Sequence, residues 1–256
     1  VTEATLEDAR MPTPLPRNYP RAFKRMYDLT RNKEDTTFVF DVIRAVNGDS
    51  MVPAFRRFCA SDVARRYMAD RPYLLRALDD RTALLALPVG TLGRTYAEFM
   101  QAEGLDTNGV QEAAIAAGVD YDLFAREYPA FYAFSWANNL SHDLHHIVSG
   151  YGRDGLGETA LLAFNHKQTG SAGAAFIAHF GGLKARLDAP RVPVGRIIAE
   201  AKRNGRDAED FVTTDWVPLL ERPLQEVRER LKVRRPALYE AVPKETLDLI
   251  GQPEPA

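Results

Sequence analysis

The string SHDLHH at 141–146 gathers three of the chain's five histidines, His142, His145 and His146. His142 and His146 stand four residues apart, so on a helix both imidazoles leave one face about one turn apart, a spacing that lets them grip a single metal ion. Asp143 lies roughly 60° around the helix from His146 and is placed as a third ligand or as a base just outside the ligand set. Glu158 follows His146 after eleven intervening residues. Two imidazoles and two carboxylates around a divalent ion would polarise an oxyanion or activate a water. Cys59 is the only cysteine. That excludes an intrachain disulfide and any cysteine-based zinc or iron–sulfur site, so a metal here must be held by histidine and carboxylate.

Two helices must position these groups. At about 100° per residue, Ser135, Asn138, Asn139, His142, Asp143, His145, His146 and Ser149 share one side of a helix over 133–149, and Trp136, Leu140, Leu144, Ile147 and Val148 the other. Between Pro129 and Gly152 the only formally charged side chain besides the histidines is Asp143. A polar face without Lys, Arg or Glu predicts an internal, wet cavity rather than a solvated surface. The glycine-dense GYGRDGLGE at 150–158 then ends this helix and turns the chain back into a second, antiparallel one starting near Leu156. Glu158, in its opening turn, is thereby brought to the histidine-bearing end of its partner, and four ligands converge from two facing helices. On the face of Glu158 lie Leu162, Thr169, Gly173 and Phe176, whereas Lys167 projects from the opposite side. Burying a carboxylate over such a face calls for a cation, which a divalent ion supplies. The small side chains of GSAGAAFIAHFGG, at 170–182, leave two readings open: close packing of another helix, or a groove for a long apolar ligand lined by Leu162, Thr169, Gly173 and Phe176.

Apolar residues recur at spacings of three and four along most of the chain, and strand-like alternation is scarce, which predicts an all-α, single-domain helical bundle with its metal site between two antiparallel helices. Helices are expected over 36–46, 51–69, 72–85, 92–103, 109–117, 121–149, 156–187, 193–204, 207–212 and 221–231. Pro-rich ends set off an extension at 1–30 and a tail at 241–256 from a metal-binding domain at 31–240. Composition is that of a globular protein, with 45% hydrophobic and 27% charged residues in 256. A formal net charge of −2 without long runs of like charge argues against a nucleic-acid partner. The stretch 172–183 is too short and too glycine-rich to span a bilayer. Residues 55–78 mix Phe and Leu with many Arg, as an interfacial helix would, but a surface helix packed on a core has the same look.

The string HDLHHIVSGYGRDGLGE, read as H-D-x-x-H, eleven residues, then E, resembles the signature of the coenzyme Q (ubiquinone) biosynthesis protein four family. VFDVIRAVNG at 39–48, LPVGTLGRTYAEFM at 87–100, QTG at 168–170, AKRNGRDAEDFVTTDW at 201–216 and PLQEVRERLKV at 223–233 are similar to family segments in family order, so the likeness covers roughly residues 35 to 240. The resemblance implies an all-helical protein in which His142, Asp143, His146 and Glu158 hold a divalent metal, usually zinc, with Fe2+ or Mn2+ also compatible with the ligand types. It implies loss of the C1 carboxyl group from a polyprenylated 4-hydroxy-3-methoxybenzoate-type ring, oxidative in some accounts, with Asp143 or Glu158 holding a proton. It implies peripheral attachment to a membrane (the inner face of the cell membrane, or the matrix side of the mitochondrial inner membrane in eukaryotes), association with other ubiquinone-biosynthesis enzymes, and room for a homodimer. The alternative is a non-catalytic scaffold that presents prenyl lipids to the biosynthetic complex.

Overall fold

The computed structural model describes residues 9–32 and 37–250, and among them every regular element is helical: seventeen α-helices, two short 3-10 turns and no strand. In chain order these are α1 (Tyr19–Arg31), α2 (Thr37–Val46), α3 (Val52–Cys59), α4 (Asp62–Ala69), α5 (Tyr73–Asp79), α6 (Arg81–Ala86), α7 (Leu92–Ala102), α8 (Gly109–Ala116), α9 (Tyr121–Glu127), α10 (Pro129–Leu140), α11 (His142–Ser149), α12 (Gly155–Thr169), α13 (Ala172–Asp188) and α14 (Val194–Asp207). The 3-10 turns Phe211–Thr213 and Val217–Leu219 precede α15 (Leu224–Arg230), α16 (Ala237–Glu240) and α17 (Lys244–Leu247). The described residues group into two compact units. The first takes Val52–Val148, Glu209–Leu231 and the residues before Pro14; the second takes Pro14–Met51, Ser149–Ala208 and the residues from Lys232 onward.

Several expected long helices are broken by their own capping chemistry. Ser61 interrupts 51–69 by accepting from the Ala64 N–H, and Asp80 interrupts 72–85 by accepting from the Ala83 N–H. The span 121–149 breaks before Pro129 and again at Ser141, and 156–187 breaks at Gly170, which is left-handed with φ +77°. The interval expected to be helical at 207–212 holds only the 3-10 turn Phe211–Thr213, capped by Asp210.

In the second unit, α1 folds from part of what sequence sets off as an extension. Asn18 caps it, with Pro20 in the first turn, and its Ala22, Met26 and Leu29 are buried against Val42, Ala45 and Val46 of α2 and Ile177 of α13. Asp41, nearly buried on α2, is held by Arg21 at 2.7 Å and Arg25 at 2.9 Å. The small-residue run of α13 serves helix contact. A Cβ on Gly173 would come within 2.5 Å of the Ile43 backbone, and the Gly173 N–H donates to Asn47 Oδ1 at 2.9 Å. Ser171 Oγ donates to the same oxygen at 2.9 Å, and Gln168 Nε2 donates to the Gly205 carbonyl at 2.6 Å. VFDVIRAVNG, QTG and the NG of AKRNGRD thus meet in one junction.

In the first unit, α3 to α6 pack their apolar residues inward. Phe55, Phe58, Leu74 and Leu78 are buried, while Arg57 and Arg66 face outward to pair with Asp210 and Asp215. Residues 55–78 are therefore surface helices on a core, and the interfacial reading of this stretch is not supported. Cys59 is a buried core residue, and Trp216 is a core anchor with 2% of its surface exposed.

Candidate metal centre

The histidine string occupies α11, a helix of only two turns. Ser141 breaks the register with its predecessor, and Gly150, at φ +83°, ends the helix on the other side. Arg228 of α15 braces this end, its guanidinium donating to the carbonyls of Ile147 at 2.8 Å and Val148 at 3.0 Å. A cation on the last carbonyls satisfies groups a helix cannot satisfy itself and opposes the negative end of its dipole.

On α11 the structure brings His142, Asp143 and His146 together, with one donor atom of each within 4.8 Å of the others. The two imidazole rings lie 4.8 Å apart at 73°, and His142 Nδ1 stands 3.5 Å from Asp143 Oδ1. Asp143 and His146 are buried, at 8% and 2% exposure, while the side chain of His142 keeps 30%. The trio is thus set inside the unit with one member at its mouth. His145, the extra histidine, turns instead into an aromatic nest, 5.0 Å from the Phe211 ring and 5.6 Å from the Trp216 ring, and is not a member of the trio.

Helix α7 lines the trio with residues that spacing alone did not single out. Phe99 stacks on His146 at 6.3 Å and 27°. Tyr96, one turn earlier, is buried, and its phenol is pushed well above the usual tyrosine range by burial first and by the negative charge of Asp143 second. The start of α7 is fixed by Leu92 N–H donating to the Arg222 carbonyl and Gly93 N–H to the Leu220 carbonyl, both at 2.8 Å. The polar face expected over 133–149 is buried from Asp143 onward. Asn138 and Ser141 line a small cleft with Phe58, Tyr67, Phe134 and Trp216, and the trio is not among its lining residues.

The donor set passes a chemical test. Metal–ligand bonds of about 2.0–2.2 Å place tetrahedral ligand atoms about 3.3–3.5 Å apart, so the 4.8 Å spread closes by modest side-chain rotation. Two imidazoles with a carboxylate accept zinc, iron(II) or manganese(II).

Glu158 stands in the first turn of α12, in the second unit, and is not in the trio. Of the residues expected along a lipid groove, Leu162 packs half-buried against the α1–α2 core cluster. Thr169 is buried and donates to the Asn165 carbonyl. Gly173 is taken up by α2, as described, and Phe176 meets the rings of Phe23 and Phe180 at 5.2 and 4.7 Å.

Fold and site together define an all-helical protein with a His-Asp-His group, two of its three members buried, that could hold a metal ion. The family model described as coenzyme Q (ubiquinone) biosynthesis protein Coq4 matches residues 31–237, and the chain belongs to that family. It is 28% identical over 180 residues to ubiquinone biosynthesis protein coq4, mitochondrial, of Botryotinia fuckeliana, covering 69% of this chain and 59% of that protein. It is 27% identical over 172 residues to the mitochondrial COQ4 homolog of Homo sapiens, covering 67% and 61%. The matched region therefore spans about three fifths of these relatives. A crystal structure from Nostoc punctiforme PCC 73102, of a protein provisionally named for ubiquinone biosynthesis, shares the fold with a TM-score of 0.60 at 22% identity, covering 84% of this chain and 98% of that one. Among the described residues no helix is long and apolar enough to cross a membrane.

Proposed function

We propose that this protein decarboxylates C1 of a polyprenylated 4-hydroxy-3-methoxybenzoate-type intermediate of ubiquinone biosynthesis, with zinc held by His142, Asp143 and His146 and with Glu158 as the fourth ligand. The observation that carries the reading is the convergence of the first three side chains within 4.8 Å in a member of this family; Glu158 is added on the motif alone. A divalent ion in such a site supplies Lewis-acid stabilisation of negative charge on the substrate's oxygens.

The chain's own groups do the rest. Asp143 and His146 sit in a buried environment, which raises the worth of every charge interaction there. The Phe99 ring packs beside His146 and helps to keep water from that side of it. As the bond from C1 to the carboxyl carbon breaks, its electron pair stays on the ring, and C1 takes a proton from Glu158 or Asp143, whichever carboxyl has shifted out of the ligand set to hold one. In the oxidative variant, dioxygen takes two electrons from the ring and leaves as hydrogen peroxide, and water supplies the hydroxyl that replaces the carboxyl group, lost as carbon dioxide. Zinc-loaded protein incubated with a short-chain prenylated 3-methoxy-4-hydroxybenzoate should release carbon dioxide, and the substituent at C1 of the product, hydrogen or hydroxyl, separates the two. No release with any of the three metals, at full metal occupancy, would overturn the reading.

A prenylated substrate resides in a bilayer, so peripheral membrane contact belongs to the same proposal. The face that fits is on the second unit. Tyr19, Phe23 and Tyr27, at four-residue spacing on α1, are 49%, 51% and 61% exposed, and Leu183 and Leu187 of α13 are 50% and 74% exposed. Phe23 joins the two helices by touching both Phe176 and Phe180. Residues 17–31 carry five Lys or Arg against Asp28 alone, the charge sign that suits an anionic lipid surface. The affinity for phosphatidylglycerol-containing vesicles, read by co-sedimentation, should fall about thirtyfold in the double variant Phe23→Glu, Leu187→Glu, each apolar anchor contributing roughly 1 kcal/mol. Unchanged sedimentation would place the contact on another face. Association with other enzymes of the pathway, and with a second copy of the chain, is part of the same reading.

A further inference from the structure

The segment that delivers Glu158 is held by a side chain from outside the motif. Tyr239, on α16, donates its hydroxyl hydrogen to Asp154 and accepts from the Gly152 N–H at 3.0 Å. Asp154 in turn caps α12: its Oδ1 accepts from the N–H groups of Leu156 at 3.1 Å and Gly157 at 2.9 Å, and its backbone carbonyl accepts from the Glu158 N–H at 2.9 Å. The Tyr239 ring meets Tyr151 edge-on, 5.5 Å between centroids, and α16 is tied to α14 by Leu238 N–H donating to Glu200 at 3.1 Å.

This clamp explains two of the four glycines in 150–158. A Cβ on Gly152 would come within 2.6 Å of the Tyr239 hydroxyl and 3.0 Å of Asp154 Oδ2, and a Cβ on Gly157 would strike the Gly152 carbonyl. Burial first, then the bond to Asp154 and its charge, push the Tyr239 phenol far above the ordinary tyrosine range, and the charge of Glu158 adds to the shift. The hydroxyl therefore stays a donor throughout the working pH range. Glu158 lies near enough for its charge to be felt there. Tyr239 falls past residue 237, where the family match ends.

We infer that Tyr239 is a positioning residue for Glu158, its hydroxyl locking the 150–158 loop through Asp154 and Gly152 so that the first turn of α12 begins in one place. The inference rests on the reading of Glu158 as a metal-holding carboxylate. The test is a double-mutant cycle on the full chain, with Zn2+ affinity read by competition against a chromophoric chelator. Tyr239→Phe, which keeps the ring, should weaken zinc binding about tenfold, the usual scale for groups that orient a ligand, while lowering the melting temperature of metal-free protein by only a few degrees, the cost of the two hydrogen bonds lost. In the Glu158→Gln background the same change should have no further effect. Gly152→Ala, which crowds the hydroxyl, should reproduce the loss. Equal weakening by Tyr239→Phe in both backgrounds would overturn the inference, and so would weakening by Glu158→Gln with none by Tyr239→Phe. Unchanged affinity in Glu158→Gln itself would instead remove the ligand role of Glu158, and the inference with it.

Discussion

Replacing His146 by Ala should remove zinc from the protein while leaving it folded. His146 is the most buried of the three converging side chains, at 2% exposure, and the ring stacked on Phe99. If four ligands share a zinc free energy of about 10–16 kcal/mol, deleting one costs about 3 kcal/mol or more, a loss of at least ~100-fold in affinity. The cavity left beside Phe99 costs about 2 kcal/mol, which a folded domain survives. Two measurements check this. Elemental analysis after dialysis should find one zinc per wild-type chain and almost none in the variant. Zinc at about a thousand times its Kd adds roughly 4 kcal/mol of stability, which moves the melting temperature of a chain this size by about ten degrees; His146→Ala should lose that shift. His145→Gln is the contrast, because His145 faces Phe211 and Trp216 and should be dispensable for metal. Stoichiometric zinc in His146→Ala would sink the site.

What the sequence could and could not reveal follows from which interactions are local. The i, i+4 histidine pair with its adjacent aspartate is readable because helix geometry alone brings those groups together, and the structure keeps them on α11. Helices α7 and α8 lie close to their expected spans because each is bounded by glycine, whereas α15 starts three residues later than expected, after Pro223. The long spans at 51–69 and 121–149 were misjudged because Ser61 and Ser141 are tolerated inside a helix as well as at its end, and only tertiary packing decides between the two. Helix α1 was hidden by the prolines before it, although Asn18 and Pro20 are themselves start signals. Lengthwise, the apolar spacing of Ala22, Met26 and Leu29 carried the same message.

The partners of the trio are a different matter. Tyr96 and Phe99 are three apart, so their sharing of a helix face is legible, but nothing local says that the face meets α11. Arg228 sits among other charges in LQEVRER, and no pattern separates the guanidinium that braces α11 from those that face water. The same holds for Phe211 and Trp216, which shelter His145. The family-like segments at 87–100, 201–216 and 223–233 each send a side chain or a backbone group to α11 or to the helix that lines it. Their likeness to the family is thereby given a physical cause: they form the mould that holds two turns of helix in place.

Glu158→Gln should abolish turnover without unfolding the protein, and it is the sharpest test of catalysis against scaffolding. The substitution keeps the size and shape of the side chain and removes its charge and its capacity to carry a proton. The structural cost is small. A first-turn acid gains about 0.3–1 kcal/mol from the helix dipole, and the Asp154 cap and the Glu158 N–H bond to the Asp154 carbonyl do not depend on the side chain of residue 158. Losing a proton donor costs about 10²–10⁴ in rate, and a weakened metal adds to that. At zinc concentrations that saturate the variant, carbon dioxide release should therefore remain at least ~100-fold below wild type, with melting of the metal-free protein within a few degrees of it. Cells carrying only the variant should accumulate the carboxylated intermediate. If they instead make ubiquinone at the normal rate, the carboxylate has no chemical duty, and the metal serves only to pin structure in a protein that holds prenyl lipids for other enzymes.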